Sequence, residues 1–234
     1  MVNATDIDWL SERHPNLKLT ATGGVSGLVN FSATYNRQQD VFQILYPGDE
    51  DVVGGFALAG IFNISIEERS PDQDSASRLP ALGIVGVTKN ADRHISPDNS
   101  ACLCSPFAEK DFYTPAFAFR PYFEQLVIPF LYSQLHYERE KDWPWADYSH
   151  GNLGVLEAYN PAANRKDVEE CLRQLRRDTA TWPRIRAVLT QHGAISDSTP
   201  CICKWRHRMA KCHQGTLRGL QQLRLDLRAM HVKT

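Results

Sequence analysis

Nowhere in its 234 residues does the chain carry a run of about 18 apolar residues, so no membrane-spanning helix is expected. Behind Met1 the stretch VNATDIDWL has neither a basic opening nor a long apolar core, so no secretory leader is expected and the cytoplasm is the expected setting. No segment repeats and none is of low complexity, which removes solenoids, propellers and linker-like tracts from consideration. A glycine-rich phosphate loop is also missing, so the sequence offers no ATP-binding motif of that kind. Net charge is nearly missing too, at −1, but the total hides an asymmetry. Residues 1–150 carry 11 Lys+Arg against 20 Asp+Glu, and residues 151–234 carry 15 against 7. That division suggests two modules, or one acidic domain with a basic, partner-facing tail.

What is present reads as a soluble α+β protein with one ordinary core and an appendage. Thr5 can cap a first helix, with Asp6 and Asp8 in its opening turn, and Pro15 ends it. Leu28 to Tyr35 alternates, with Val29, Phe31, Ala33 and Tyr35 on one side, and reads as a strand. Val41 to Tyr46, Phe56 to Ile66 and Ala81 to Thr88 read as further strands, which makes a three- or four-stranded antiparallel meander. Ala116 to Tyr137 is apolar at helical spacing, with Pro121 and Pro129 marking a start and a kink. Trp143, Trp145, Tyr148 and His150 form an aromatic loop that reads as a core lid. Helices follow at Arg165 to Asp178, Trp182 to His192 and Thr216 to Met230, and Cys171 falls on an apolar helix face as a buried thiol.

Six cysteines without a secretion signal read as thiols for metal binding or catalysis, not as disulfides. Two of them, Cys102 and Cys104, lie in the segment Arg93 to Pro115, after a strand and a polar loop containing His94, Ser96, Asp98, Asn99 and Ser100. Loops of this kind carry function, and a thiolate there is a competent nucleophile. The alternative is a pair of small buried hydrophobic residues.

The order strand, Arg93-His94, polar turn, Ala101-Cys102-Leu103, the turn Phe112-Tyr113-Thr114-Pro115, then a long helix resembles the ubiquitin-conjugating enzymes, and their bacterial relatives most. The resemblance covers residues 1 to about 140. It implies an N-terminal helix, a four-stranded antiparallel meander, an active-cysteine loop and C-terminal helices, in a domain spanning 1–160. It also implies that Cys102 accepts the C-terminal carboxyl of a cargo protein as a thioester and passes it to a target nucleophile. His94 would hold the active loop, and a donor such as Asn99, with Ser96 or a backbone N–H as alternatives, would stand near the thioester oxygen. The family's His-Pro-Asn tripeptide is absent at His94-Ile95-Ser96. Spacing from such a tripeptide would favour Cys104, whereas the residues around Cys102 and the shorter bacterial spacing favour Cys102. Stand-alone conjugating chains of this type resemble those of antiphage operons. In the cyclic-oligonucleotide (CBASS) class the cargo is a cGAS-like nucleotidyltransferase, which is the favoured reading, and in another class it is a ubiquitin-like protein. A non-catalytic module of the same fold is the rival from a different functional class.

The second region, 161–234, contains Cys201-Ile202-Cys203, eight further residues, then Cys212-His213. Three thiolates and an imidazole suit a structural zinc ion (Zn2+). The spacing resembles the SEC-C motif, with Lys204-Trp205-Arg206 where that motif carries small residues and His207 as a competing ligand. Lys204, Arg206, Arg208, Lys211 and Arg218 point to an acidic protein partner ahead of nucleic acid. A homodimer stays open.

Overall fold

The computed structural model describes residues 1–69, 77–89, 93–104, 109, 112, 116–145, 149, 151–203 and 207–234. The expectations at Tyr113-Thr114-Pro115, Tyr148, His150 and Lys204-Trp205-Arg206 lie outside these residues. The described chain divides into two units, one from residues 1–104 and 109–145 and one from residues 149–234.

The first unit opens with α1 (Ala4–Arg13). Its cap is Asn3, not Thr5. The Asn3 side chain accepts from the Asp6 N–H, and the Asp6 carboxylate accepts from the Asn3 N–H. This reciprocal pair satisfies two backbone donors, which Thr5, already inside the helix, cannot do. Five strands follow: β1 (Leu17–Leu19), β2 (Val25–Asn36), β3 (Val41–Ile44), β4 (Phe56–Glu67) and β5 (Ala81–Ile84). β2 and β4 form a long antiparallel ladder from Val25↔Ile66 to Tyr35↔Phe56. β5 pairs with the far edge of β4, from Ile64↔Ile84 to Glu67↔Ala81.

The sheet is antiparallel, as expected, but it is not a plain four-stranded meander. β3 folds back onto the same edge of β2 that holds β1, at the opposite end, so β2 separates β3 from β4. The cause is local. Asn36 Oδ1 accepts from the N–H groups of Gln38 and Gln39, and Asp40 adopts φ 53, which turns the chain back tightly. The chain then crosses the end of β2 at Gly55. A Cβ there would lie 2.2 Å from the Tyr35 carbonyl oxygen, so only glycine fits.

One face of the sheet buries Val29, Ala33, Leu58, Ile64 and Ile66 against Trp9 and Leu10 of α1. It also packs on a helical run made of α2 (Phe119–Tyr122), a π-helical turn (Phe123–Val127) and α3 (Ile128–Glu140). Phe119, Tyr122, Phe123, Val127, Ile128, Leu131 and Tyr132 are fully buried there. Each side chain of this size contributes about 1.5–3 kcal/mol on burial. Pro129 has no N–H to give Gln125, four residues back, and the wider π turn immediately before it absorbs the missing bond.

The second unit is helical: α4 (Asn152–Glu157), α5 (Arg165–Leu175), α6 (Trp182–Thr190), α7 (Met209–Cys212) and α8 (Gln214–Ala229). The expected boundary at 160 therefore moves back, because Val155, Leu156 and Tyr159 share a core with α5, α6 and α8. Cys171 is fully buried in that core, beside Val168, Leu172 and Leu175, and burial pushes its thiol up to about 12. α4 and α8 meet backbone to backbone. A Cβ on Gly219 would stand 1.8 Å from the Leu156 carbonyl oxygen. Among the described residues no helix is long and apolar enough to cross a membrane.

Candidate functional site

The expected cysteine loop is a short hairpin. The Cys102 N–H donates to the His94 carbonyl at 2.7 Å, Ile95 bridges Ala101, and the Ser96 N–H donates to the Ser100 carbonyl at 2.9 Å. Its turn closes with Asn99 N–H donating to the Ser96 carbonyl, with Asn99 at φ 71. The Asp98 carboxylate accepts from both the N–H and the hydroxyl of Ser100, and these bonds hold its pKa below the ordinary carboxylate value. The returning limb docks on the sheet edge. Ala101 N–H donates to the Leu82 carbonyl at 2.7 Å, and Ser100 bridges Gly83.

His94, Asn99 and Cys102 are thus on one hairpin, with different roles in it. Cys102 is exposed and its thiol donates a long bond of 3.9 Å to the Cys104 carbonyl. Cys104 is half-buried and packs against the core of the first unit. His94 holds the loop through its backbone carbonyl, at φ 53, while its ring stands edge-on to Trp143 at 5.9 Å. The Asn99 amide lies over the sheet, its Nδ2 3.3 Å from where a Gly83 Cβ would be.

Sequence reading missed the anchor of this hairpin. Arg93 is a cation with only 7% exposure. Its Nε donates to Gln134 Oε1 at 2.9 Å, the Gln134 amide donates back to the Arg93 carbonyl at 3.1 Å, and Nη1 pairs with Glu138. Its guanidinium also covers the Tyr137 ring at 4.8 Å. Gln134 and Glu138 are four residues apart and so share a face of α3. The sequence shows only a glutamine within an apolar helical stretch, which does not name Arg93 as its partner; the structure buries that glutamine completely. Of the aromatic loop, Trp145 packs on Tyr35, Phe42 and Tyr132, as a core lid should. His136 is structural, its Nδ1 lying 2.9 Å from the Asp142 carbonyl.

In the second unit the ligand atoms of Cys201, Cys203, Cys212 and His213 lie within 4.8 Å of one another. Cys201 Sγ is 3.2 Å from His213 Nδ1, and Cys203 Sγ is 3.6 Å from Cys212 Sγ. Sulfur and nitrogen ligands about 2.0–2.3 Å from a four-coordinate ion stand roughly 3.3–3.8 Å from one another, so the cluster has the size for a metal ion. Backbone builds it. Cys201 N–H donates to His207, Met209 N–H donates to Thr199, and Pro200 bridges Arg208, which makes a knuckle before α7 and α8. Arg184 on α6 donates to the carbonyls of Ile202 and Cys203. Burial pushes the Cys201 thiol up to about 12 and raises that of Cys212, so a cation that binds there must displace the protons of these two thiols. His207 takes part through its carbonyl, as acceptor from Cys201. Of the expected basic residues, Arg208, Lys211 and Arg218 are exposed.

No protein-family model, curated protein or solved structure matches this chain.

Proposed function

We propose that the chain is a ubiquitin-conjugating-like acyl transferase with Cys102 as its nucleophile. The observation that carries this reading is the pairing of an exposed thiol with a closely held backbone. Cys102 is exposed at the exit of a hairpin, with its own N–H bonded to the His94 carbonyl on the opposite limb and the Ala101 N–H before it bonded to the Leu82 carbonyl at the sheet edge. A nucleophile held in place this way lowers the entropic cost of reaching an acyl carbonyl. The thiolate attacks the activated C-terminal carbonyl of the cargo and expels the activating group, forming a thioester. The target amine then attacks that carbonyl, the Cys102 thiolate leaves, and the amine gives up its proton. Cys104, half-buried against the core, is the weaker candidate. The resemblance of the Arg93 to Leu103 stretch alone carries the choice of cargo, a cGAS-like nucleotidyltransferase of a CBASS system ahead of a ubiquitin-like modifier.

The four-ligand cluster holds one structural zinc per chain in this reading, since three thiolates and an imidazole are its preferred set. The test is co-expression with the flanking genes, followed by non-reducing electrophoresis and peptide mapping. A reductant-sensitive adduct on Cys102, replaced in Cys102→Ser by a reductant-resistant ester or by none, supports the reading. An adduct that survives in Cys102→Ser and disappears in Cys104→Ser moves the nucleophile. Partner binding with no adduct on either thiol leaves a docking module in place of an enzyme. Elemental analysis finding no metal in folded protein refutes the zinc assignment.

A further inference from the structure

We infer that Arg93 is a positioning residue for the cysteine hairpin, acting through a closed cradle built by the end of α3. This deepens the acyl-transfer reading and, for its rate consequence, rests on it. Arg93 and His94 are neighbours in the chain and are gripped from the same side. The Arg93 guanidinium lies over Tyr137, Tyr137 stacks on Trp143 at 4.6 Å, and Trp143 meets the His94 ring edge-on at 5.9 Å. The circuit therefore runs from Arg93 through two aromatic rings and back to the next residue. Gln134 fixes the Arg93 peptide from both ends, accepting from the side chain and donating to the carbonyl. Glu138 neutralises the charge, itself shared with Lys141 at 3.3 Å.

The consequence passes along one peptide. His94 sits at φ 53, a conformation a non-glycine residue leaves unless its surroundings hold it. The carbonyl of that residue receives the Cys102 N–H, so the cradle determines where the cysteine peptide sits. Arg93 itself bonds no atom of Cys102 among the described contacts, and its Nη2 is buried without a partner. A guanidinium left with a buried, unbonded nitrogen was not placed to gain the most hydrogen bonds. Its placement matches the flat fork that reaches Gln134 and Glu138 at once, a geometry lysine cannot copy.

The experiment compares Arg93→Lys and Arg93→Met with the wild-type full chain. It uses amide hydrogen exchange, which needs no cargo, and single-turnover thioester formation with the co-expressed cargo. Arg93→Lys keeps the charge opposite Glu138 but not the fork. It should exchange the Cys102 amide at least ten-fold faster while the amides of Val29 and Ile64 in the β2–β4 ladder keep their wild-type rates. Thioester formation should slow by ten-fold or more per folded molecule at saturating cargo, with the concentration for half-maximal rate unchanged. Arg93→Met should go further at Cys102 and serves as the second variant. Unchanged exchange at Cys102 in both variants overturns the inference. So does an increase at Cys102 no larger than that at Val29 and Ile64, since Arg93 would then be a general support. Faster Cys102 exchange in a protein that forms no thioester upholds the positioning role and removes the acyl-transfer reading. Normal thioester chemistry with unchanged exchange does the reverse.

Discussion

Gly219→Ala and Gly215→Ala make the same chemical change on the same helix and should have unequal effects. In an unconstrained helix interior, Gly→Ala gains about 1 kcal/mol. At Gly219 the added Cβ would stand 1.8 Å from the Leu156 carbonyl oxygen and 2.6 Å from its carbon. An ordinary contact needs about 3.5 Å, so α4 and α8 would have to part by roughly 1.5 Å. Both atoms in conflict are backbone, so no rotamer change relieves them. Overpacking commonly costs about 1–3 kcal/mol, and a clash with no side chain to yield belongs at or above the top of that range. After the propensity gain, the net loss is about 2 kcal/mol or more, which for a unit of this size lowers Tm by roughly 10 °C. At Gly215 the Cβ meets Glu157 Cγ at 2.9 Å, a side chain that can yield only by loosening its bonds to Ser149 and Thr216, so this variant should lose about 1 kcal/mol, less than Gly219→Ala. The assay is thermal melting by circular dichroism, with hydrogen exchange of the α8 amides as the local readout. A Gly219→Ala protein that melts at or above wild type would show that α4 and α8 are not in backbone contact, and the reasoning fails.

His14 is buried with both ring nitrogens unbonded, between Trp9 and Phe123, and burial lowers its pKa from 6.5 to about 4, with Glu124 opposing and Arg13 assisting. The unfolded chain takes a proton between those values that the folded chain refuses. Stability present above pH 6.5 is therefore lost as pH falls, by up to about 1.4 kcal/mol per unit. Denaturant titrations at pH 7 and pH 5 should show a steeper loss in wild type than in His14→Phe, and equal losses would refute the account. Iodoacetamide should label Cys102 well before Cys104, read by peptide mass spectrometry, because one thiol is exposed and the other packs on the core. Cys171→Ser should cost about 1–3 kcal/mol by placing a hydroxyl in an apolar core, measured by chemical denaturation. A zinc chelator should lower the Tm of the wild-type protein and leave that of Cys201→Ser/Cys203→Ser unchanged.

Periodicity made β2 and α5 legible, since Val29, Phe31, Ala33 and Tyr35, and Val168, Leu172 and Leu175, are buried where the alternation and the helical spacing put them. The cluster of Cys201, Cys203, Cys212 and His213, which could hold a metal ion, was legible for a related reason, because all four fall within thirteen consecutive residues. Strand order was not. Alternation says which face β3 buries but not which edge it joins, and that was decided by the turn at Asn36 and Asp40. The cap of α1 was misplaced because Thr5 is a good capping residue by type, whereas the reciprocal pair belongs to Asn3 and Asp6. The Arg93 cradle could not be read, since its hydrogen-bond partners lie 41 and 45 residues along the chain.

The π turn at Phe123–Val127 sets the angular phase of everything after it. In a regular helix each residue adds about 100° of rotation and about 1.5 Å of rise. The π turn holds one residue more than an α-helical turn would, so α3 is rotated relative to a straight continuation of α2. Gln134 and Glu138 face Arg93 only in that rotated phase. Deleting Leu126 would turn the π turn into a plain α-helical turn and leave Gln134 and Glu138 near their present phase, whereas inserting one residue after Val127 would swing both by about 100°, away from the guanidinium, while Phe119 and Tyr122 kept their places. The alignment of the cysteine hairpin thus depends on a π turn twenty-one to twenty-five residues downstream of Cys102, which takes up one extra residue without turning the gripping face of the helix away.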